Sequence, residues 1–169
     1  ISGPVSLKTP DGIHRIDIET AQQMGQQVID HLQDCQILIG TAAVADYVPA
    51  SSSQHKLKKS DKAMSLSLVP GIDILGEVSR IEKRPFIVGF AAETRDLEQF
   101  AQEKRQRKSM DMIAANYVGG NDRGFEADDN ELSVFWEGGQ CLLPLADKHK
   151  IARQLIDLVG ERFHARQTQ

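Results

Sequence analysis

Apolar residues along this chain fall into runs of three kinds. Nearly continuous runs at 36–44 and 86–92 predict strands buried on both faces. Shorter alternating runs at 14–18 and 65–69 predict half-buried strands, and 111–118 reads as a further buried strand broken at Asn116. The runs 132–136 and 141–145 flank Glu137-Gly138-Gly139-Gln140, a glycine pair that signals a hairpin. Helical spacing fills most of the remainder. Thr20 offers an N-cap with Gln23 at the capping-box position, predicting a helix over 21–32. Asp73 opens a second helix, to about residue 81, and Asp96 caps a third over 97–108. Asp147 caps a last helix over 148–162, with Ile151, Leu155, Leu158 and Val159 on one face.

Strands alternating with helices imply right-handed βαβ units. The expected fold class is therefore α/β, a three-layer Rossmann-like arrangement with a mostly parallel sheet and an antiparallel edge hairpin. Between the predicted elements lie a Ser- and Lys-rich loop at 48–61, expected to be mobile, and a polar Gly-rich loop at 119–130. No internal repeat or linker divides the chain, so 1–169 is expected to form one domain.

Composition narrows the possible partners. The chain has 169 residues, 40% hydrophobic and 26% charged, with a net charge of −4. That size suits a single α/β core, and the acidic balance argues against nucleic acid as a partner. No apolar run is long enough to span a membrane and no signal peptide is visible, so the protein is expected to be cytoplasmic, with no membrane partner. Cys35 and Cys141 are far apart and in no metal-ligand spacing, which predicts two reduced thiols. Ile1-Ser2-Gly3-Pro4-Val5 reads as a strand end running into a turn, so the chain is expected to be a piece of something longer.

Doubly wound sheets bind ligands beyond the carboxyl ends of their strands. Three predicted strand ends are rich in small residues and finish in a polar group: Ala42-Ala43-Val44-Ala45-Asp46, Gly89-Phe90-Ala91-Ala92-Glu93-Thr94 and Ala114-Ala115-Asn116. Each alone fits close strand–helix packing with helix capping; together they suggest a nucleotide site. Small residues let a ligand approach the backbone, and Asp46 can accept from ribose hydroxyls or a base. Lys56, Lys58, Lys59 and Lys62 form either a solvated loop or a flap over phosphates. Lys104 and Lys108 lie one helical turn apart and prolong the stripe of Leu97, Phe100 and Ala101, so they either snorkel to solvent or reach an anion. A crossover helix runs antiparallel to its strand and its far end approaches the opposite sheet edge, so Lys104, about 12 Å along it, reaches the nucleotide edge only if the helix is tilted or a dimer partner is involved. Phe90 suits the core or a base contact, and Glu93 a metal or a helix N-terminus. The five histidines are scattered, and no G-x-G-x-x-G, Walker A motif or nucleophilic triad is present.

Four ordered motifs, spanning essentially the whole chain, carry a specific resemblance. They are Ala42-Ala43-Val44-Ala45-Asp46-Tyr47, Lys56-Leu57-Lys58-Lys59, Val88-Gly89-Phe90-Ala91-Ala92-Glu93-Thr94, and Lys104-x-x-x-Lys108-x-x-Asp111-x-Ile113-x-Ala115-Asn116. The chain resembles phosphopantothenoylcysteine synthetase, which in bacteria is usually the C-terminal domain of a bifunctional coenzyme A biosynthesis flavoprotein. Gly124-Phe125, Asp129-Asn130 and Phe135-Trp136 fit the same pattern.

The resemblance implies a CTP-dependent ligase joining 4'-phosphopantothenate to L-cysteine through an acyl-cytidylate, with CTP as substrate and Mg²⁺ as its ion. It implies a homodimer and an N-terminal decarboxylase domain in the full protein, FMN belonging to that domain alone. Ala42, Ala43 and Asp46 would hold the cytidine and Phe90 would line the CTP pocket. Lys104 and Lys108 would contribute to CTP binding. Lys56 would be the catalytic flap lysine. Gly71-Ile72-Asp73-Ile74 matches a nucleotide-contacting stretch that normally reads Asn-Pro-Asp-Ile, with Gly71 and Ile72 as departures. No residue is implied as a metal ligand. The family's first strand, Gly-Thr-rich phosphate loop and Asn-x-Ser-Ser-Gly segment would precede Ile1, so this chain alone is expected to have little or no activity. A Rossmann-like NAD(P)-binding oxidoreductase and a non-catalytic dimerisation domain are the alternatives.

Overall fold

A computed structural model describes residues 1–53, 55–59, 63–118 and 128–168. Lys62, Gly124-Phe125 and most of the expected Gly-rich loop lie outside the described residues. The chain divides into two compact units, one built from 1–31 and 42–74, the other from 32–41 and 75–169.

The second unit holds a five-stranded sheet in the order β1-β4-β5-β6-β7, with β1 Ile37–Gly40, β4 Phe86–Glu93, β5 Met112–Tyr117, β6 Asp129–Trp136 and β7 Gly139–Asp147. The β1–β4 and β4–β5 pairs are parallel and the β5–β6 and β6–β7 pairs antiparallel, so four of the five strands share one direction. The expected edge hairpin is β6–β7, turning at Gly138, whose φ of +76° is one that glycine adopts without penalty. In β4, every residue from Phe86 to Gly89 is buried, as its continuous apolar run predicts for a central strand.

Helices cover both faces of this sheet. α4 (Lys148–Gln167) packs Ile151, Leu155 and Val159 against Phe86, Val88, Met112, Ala114, Leu132 and Val134. The opposite face receives α3 (Leu97–Arg107), which buries Ala101, and Leu75 of α2 (Ile74–Ser79). Leu75 lies against the Cα atoms of Gly40 and Gly89, and Met110 also presses on Gly89. The three-layer arrangement thus follows from two glycines that let a helix residue settle onto neighbouring strands.

The first unit contains α1 (Ala21–Asp30) and a two-stranded antiparallel ladder, β2 (Tyr47–Pro49) with β3 (Leu68–Pro70). The capping box at α1 forms as predicted: Thr20 accepts from Gln23 N–H, and the Gln23 side chain accepts from Thr20 N–H. α1 buries Gly25 and Val28, and Gly25 faces Ile72 and Ile74.

Several predicted elements differ. The strand expected over 14–18 reduces to one parallel bridge between Ser2 and Asp17. The run 36–44 is a strand only to Gly40, because the β1–β4 register ends at Gly40–Gly89 and the chain then turns, Val44 N–H bonding the Ala42 carbonyl. The loop expected from residue 48 begins instead with β2, and the strand expected over 65–69 is Leu68–Pro70. Asn116 does not break β5; it pairs with Ala92. Asp96 stands at the α3 N-cap position but makes no side-chain cap bond, since its backbone is left-handed at φ 45°. The last helix runs beyond 162 to Gln167.

Candidate functional site

The predicted site residues fall into a group within each unit. In the first unit, Ala42, Ala43 and Asp46 lie exposed on the turn beyond β1. Among the described residues the Asp46 carboxylate has no hydrogen-bond partner, so its oxygens are available to a ligand. Its backbone is fixed. Gly71 N–H donates to the Asp46 carbonyl at 2.8 Å, next to the Tyr47–Pro70 pair, and Ala50 N–H donates to the Ser67 carbonyl at 2.9 Å at the other end of the ladder. These rungs place Tyr47, Pro49, Leu68 and Pro70 at positions where their nitrogens face away from the partner strand. Both prolines therefore cost the ladder no hydrogen bond.

The structure thus joins two stretches that sequence reading kept apart, 42–46 and 71–74. Gly71, Ile72 and Asp73 are half-buried and Ile74 is buried, 8% exposed. Between them the chain leaves along β2 and returns along β3, and Lys56, Lys58 and Lys59 ride exposed on the connection. The lysine segment is therefore the far part of an arm rooted in an antiparallel ladder. Two short β-rich runs, Tyr47-Val48 and Leu68-Val69, each closed by a proline, were the signal available in the sequence.

In the second unit the predicted residues are Phe90, Lys104 and Lys108. Phe90 is half-buried and packs partly against the α4-side core. Lys104 Nζ donates to the Phe90 carbonyl at 3.0 Å. Phe90 is the fifth of the eight β4 residues, so the ammonium reaches the body of that strand. From Leu97 to Lys104 the helix descends about 10 Å, and from Glu93 back to Phe90 the strand descends a similar ~10 Å. Side chains on a helix lean towards its N-terminus, which for α3 is the direction of the β4 carboxyl end. The Lys104 ammonium therefore stands level with Phe90, one residue beyond the last β1–β4 pair. Lys108 is half-buried one turn further on, while Arg105 reaches Gln102 and the Met110 carbonyl.

Away from these groups, Asp111 gathers cations at the amino end of the sheet. One carboxylate oxygen accepts from Arg84 at 2.5 Å and from Ile87 N–H at 2.7 Å; the other accepts from Arg84 and from Arg166 of α4, both at 3.2 Å. This cluster was not predicted, although Asp111 belongs to a quoted motif. Cys35 and Cys141 are free thiols, and burial pushes the Cys35 thiol up, offset in part by a hydrogen bond with the Ile37 backbone. Among the described residues no cluster of three or more His, Cys, Asp or Glu can hold a metal ion, and no helix is long and apolar enough to cross a membrane. A cleft of about 1070 Å³ is lined by Pro4, Val5, Arg15, Ile18 and Gln27 among others, and none of the predicted site residues borders it.

The family model for the DNA/pantothenate metabolism flavoprotein C-terminal domain matches residues 1–162. The coenzyme A biosynthesis bifunctional protein CoaBC of Vibrio cholerae is 42% identical over 166 residues, covering 96% of this chain and 42% of that protein. That of Haemophilus influenzae is 42% identical over 164 residues, covering 96% and 41%. The chain therefore spans about two fifths of the length of these curated relatives. The crystal structure of the C-terminal domain of a CoaBC protein superposes with a TM-score of 0.76 at 29% identity, covering 96% of this chain and 72% of that one. On the family match and this likeness of sequence and fold, the chain belongs to the DNA/pantothenate metabolism flavoprotein C-terminal domain family.

Proposed function

We propose that this chain is the CTP-dependent phosphopantothenate–cysteine ligase part of a coenzyme A biosynthesis enzyme. The observation that carries the reading is a cation on β4, a parallel strand rich in small residues, one residue beyond the point where its pairing with β1 ends. Lys104 Nζ sits on the Phe90 carbonyl, in a chain 42% identical to a CoaBC protein. An ammonium there suits phosphate oxygens, and the carboxyl ends of such strands are where doubly wound sheets take nucleotides.

In this reading Asp46, with the Ala42 and Ala43 backbone, receives the cytidine. Phe90 lines the pocket, Lys104 and Lys108 bind the nucleotide, and Gly71, Ile72, Asp73 and Ile74 add contacts. The 4'-phosphopantothenate carboxylate attacks the α-phosphorus of CTP and pyrophosphate leaves. The cysteine amine then attacks the acyl carbon, CMP leaves with the bonding pair, and the amine loses a proton as the amide forms. Lys56, carried on the exposed arm, neutralises phosphate charge as that arm closes. The chain offers no ready-made metal cage among its described residues, so Mg²⁺ is assigned to the CTP phosphates as part of the substrate. The same reading makes 1–169 one functional domain, homodimeric and cytoplasmic, joined in the full protein to an FMN-binding decarboxylase.

Calorimetric titration of the full protein with CTP and NADPH tests the reading. Saturable binding of CTP, weakened roughly tenfold or more by Asp46→Ala and by Lys104→Met, is the expected result. Binding of NADPH in place of CTP, or CTP affinity indifferent to both substitutions, would overturn it.

A further inference from the structure

Lys104 lies in the last turn of α3, and that turn is fastened by the residues just after it. Ser109 N–H donates to the Gln106 carbonyl at 3.0 Å and Met110 N–H to the Arg105 carbonyl at 2.9 Å, the pair of bonds that closes a helix C-terminus. Such a closure needs a left-handed residue after the cap, usually glycine; here Ser109 adopts it, at φ 47°. The Arg105 guanidinium donates to the Met110 carbonyl at 3.4 Å, so both backbone polar groups of Met110 are tied to Arg105. The Met110 side chain lies on Gly89 of β4. Met110 is 2% exposed, and a Cβ on Gly89 would overlap its Sδ and stand 3.0 Å from its Cε. One residue on, Asp111 N–H donates to the Ile87 carbonyl at 3.0 Å and its carboxylate accepts from Ile87 N–H. The Met110 thioether and the Lys104 ammonium thus meet adjacent residues of one strand, Gly89 and Phe90.

We propose that Met110 is a positioning residue for nucleotide binding: its thioether, seated where Gly89 has no Cβ, fixes the last turn of α3 over β4 and so holds the Lys104 ammonium at the Phe90 carbonyl. The inference rests on the reading of Lys104 as a nucleotide ligand. Met110 acts through the helix, not on the ligand. Its position is unspecified in the Lys104-x-x-x-Lys108-x-x-Asp111 pattern, so the resemblance assigns it no role. Among the described residues of α3 only Ala101 is buried, and a methyl group resists little sliding along a strand. The long, unbranched thioether supplies the missing grip. Alanine at position 110 vacates the seat on Gly89 and lets the turn shift, and a hydrogen bond weakens steeply as its geometry departs from the optimum. Leucine, of similar volume, keeps the seat filled.

Selective ¹⁵N-lysine labelling of the full protein reads the placement directly. Lys104 is expected to give an ammonium signal slowed in exchange by its hydrogen bond and identified by its loss in Lys104→Met. That signal is expected to persist in Met110→Leu and to shift or vanish in Met110→Ala. CTP affinity is expected to fall roughly tenfold in Met110→Ala and to be retained in Met110→Leu. In the Lys104→Met background, Met110→Ala is expected to cost less than it does alone, because part of its effect passes through Lys104. A Lys104 signal or a CTP affinity left unchanged by Met110→Ala, whatever its melting temperature, would assign Met110 to packing only and overturn the proposal, as would an equal loss of affinity in both backgrounds. Should Met110→Ala not fold, the unmodified protein decides: nuclear Overhauser contacts between the Met110 methyl and the Gly89 α protons are expected, and their absence would overturn the seat. If the unmodified protein binds no CTP, the ligase reading falls, and the Lys104 signal in Met110→Ala still decides whether Met110 places that ammonium.

Discussion

Lys104 and Cys35 show how position alone changes what a side chain can do. A lysine two turns into a helix would ordinarily be a solvated surface group. Here its ammonium donates to the Phe90 carbonyl, so the charge is placed rather than diffuse. Cys35 sits just before β1, where burial disfavours the thiolate. Because its folded pKa is raised, the stability it contributes is present below the ordinary thiol pKa and is lost as pH rises through the folded value. Alkylation by iodoacetamide, which needs the thiolate, is therefore expected to be slower at Cys35 at pH 8 than for a free cysteine derivative, and to speed up as pH rises. Mass spectrometry of the Cys35 peptide over time measures this directly. A rate at pH 8 matching the free thiol would contradict the buried placement.

At the scale of elements, equivalent-looking caps behave differently. Thr20 and Asp96 both precede helices in the sequence, and both residue types favour N-caps. Thr20 has an extended backbone and closes a full capping box. Asp96 has a left-handed backbone and no cap bond, because the turn out of β4 dictates its φ before its side chain can cap α3. Thr20→Ala is thus expected to cost about 1 kcal/mol of stability. Asp96→Gly is expected to cost nothing measurable, as glycine accepts positive φ. Urea unfolding of the two variants tests the pair, and equal losses would refute the distinction. The β2–β3 ladder belongs to the same scale. Its strands are short and largely exposed, and the ladder is set by backbone rungs and two prolines on the non-bonding edge. Periodicity over so few residues is too weak a signal to find it.

Across the second unit, Asp111 ties together parts distant in sequence. It lies just before β5, accepts from Ile87 N–H of β4, and pairs with Arg84 before β4 and Arg166 near the end of α4. Arg166 also lies over the Phe86 ring, and Phe163 meets that ring edge-on at 6.1 Å. Removing the carboxylate leaves Arg84, which is largely buried, without its counter-charge. Asp111→Ala is accordingly expected to lower unfolding stability by about 2–4 kcal/mol. Most of that loss is expected to remain in high salt, since charges this far out of solvent are weakly screened. A loss abolished by salt would show the cluster to be a surface ion pair instead.

Much of this protein was legible in its residues. The continuous apolar runs at 36–44 and 86–92 and the glycine-pair hairpin fixed the kinds and order of the main sheet elements, because burial on two faces and turn chemistry are local demands. The small-residue strand ends and ordered lysines marked the candidate site for the same reason: ligand approach needs absent side chains and nearby charge. Only tertiary structure decided which residues meet. It ended β1 at Gly40, where the β4 register stops, kept Asn116 in β5 because Ala92 pairs with it, and brought Gly71 onto the Asp46 backbone. It also turned Lys104 back to Phe90. These depend on register and on the direction side chains lean from a packed helix, which are set by contacts between distant segments and carry no local pattern.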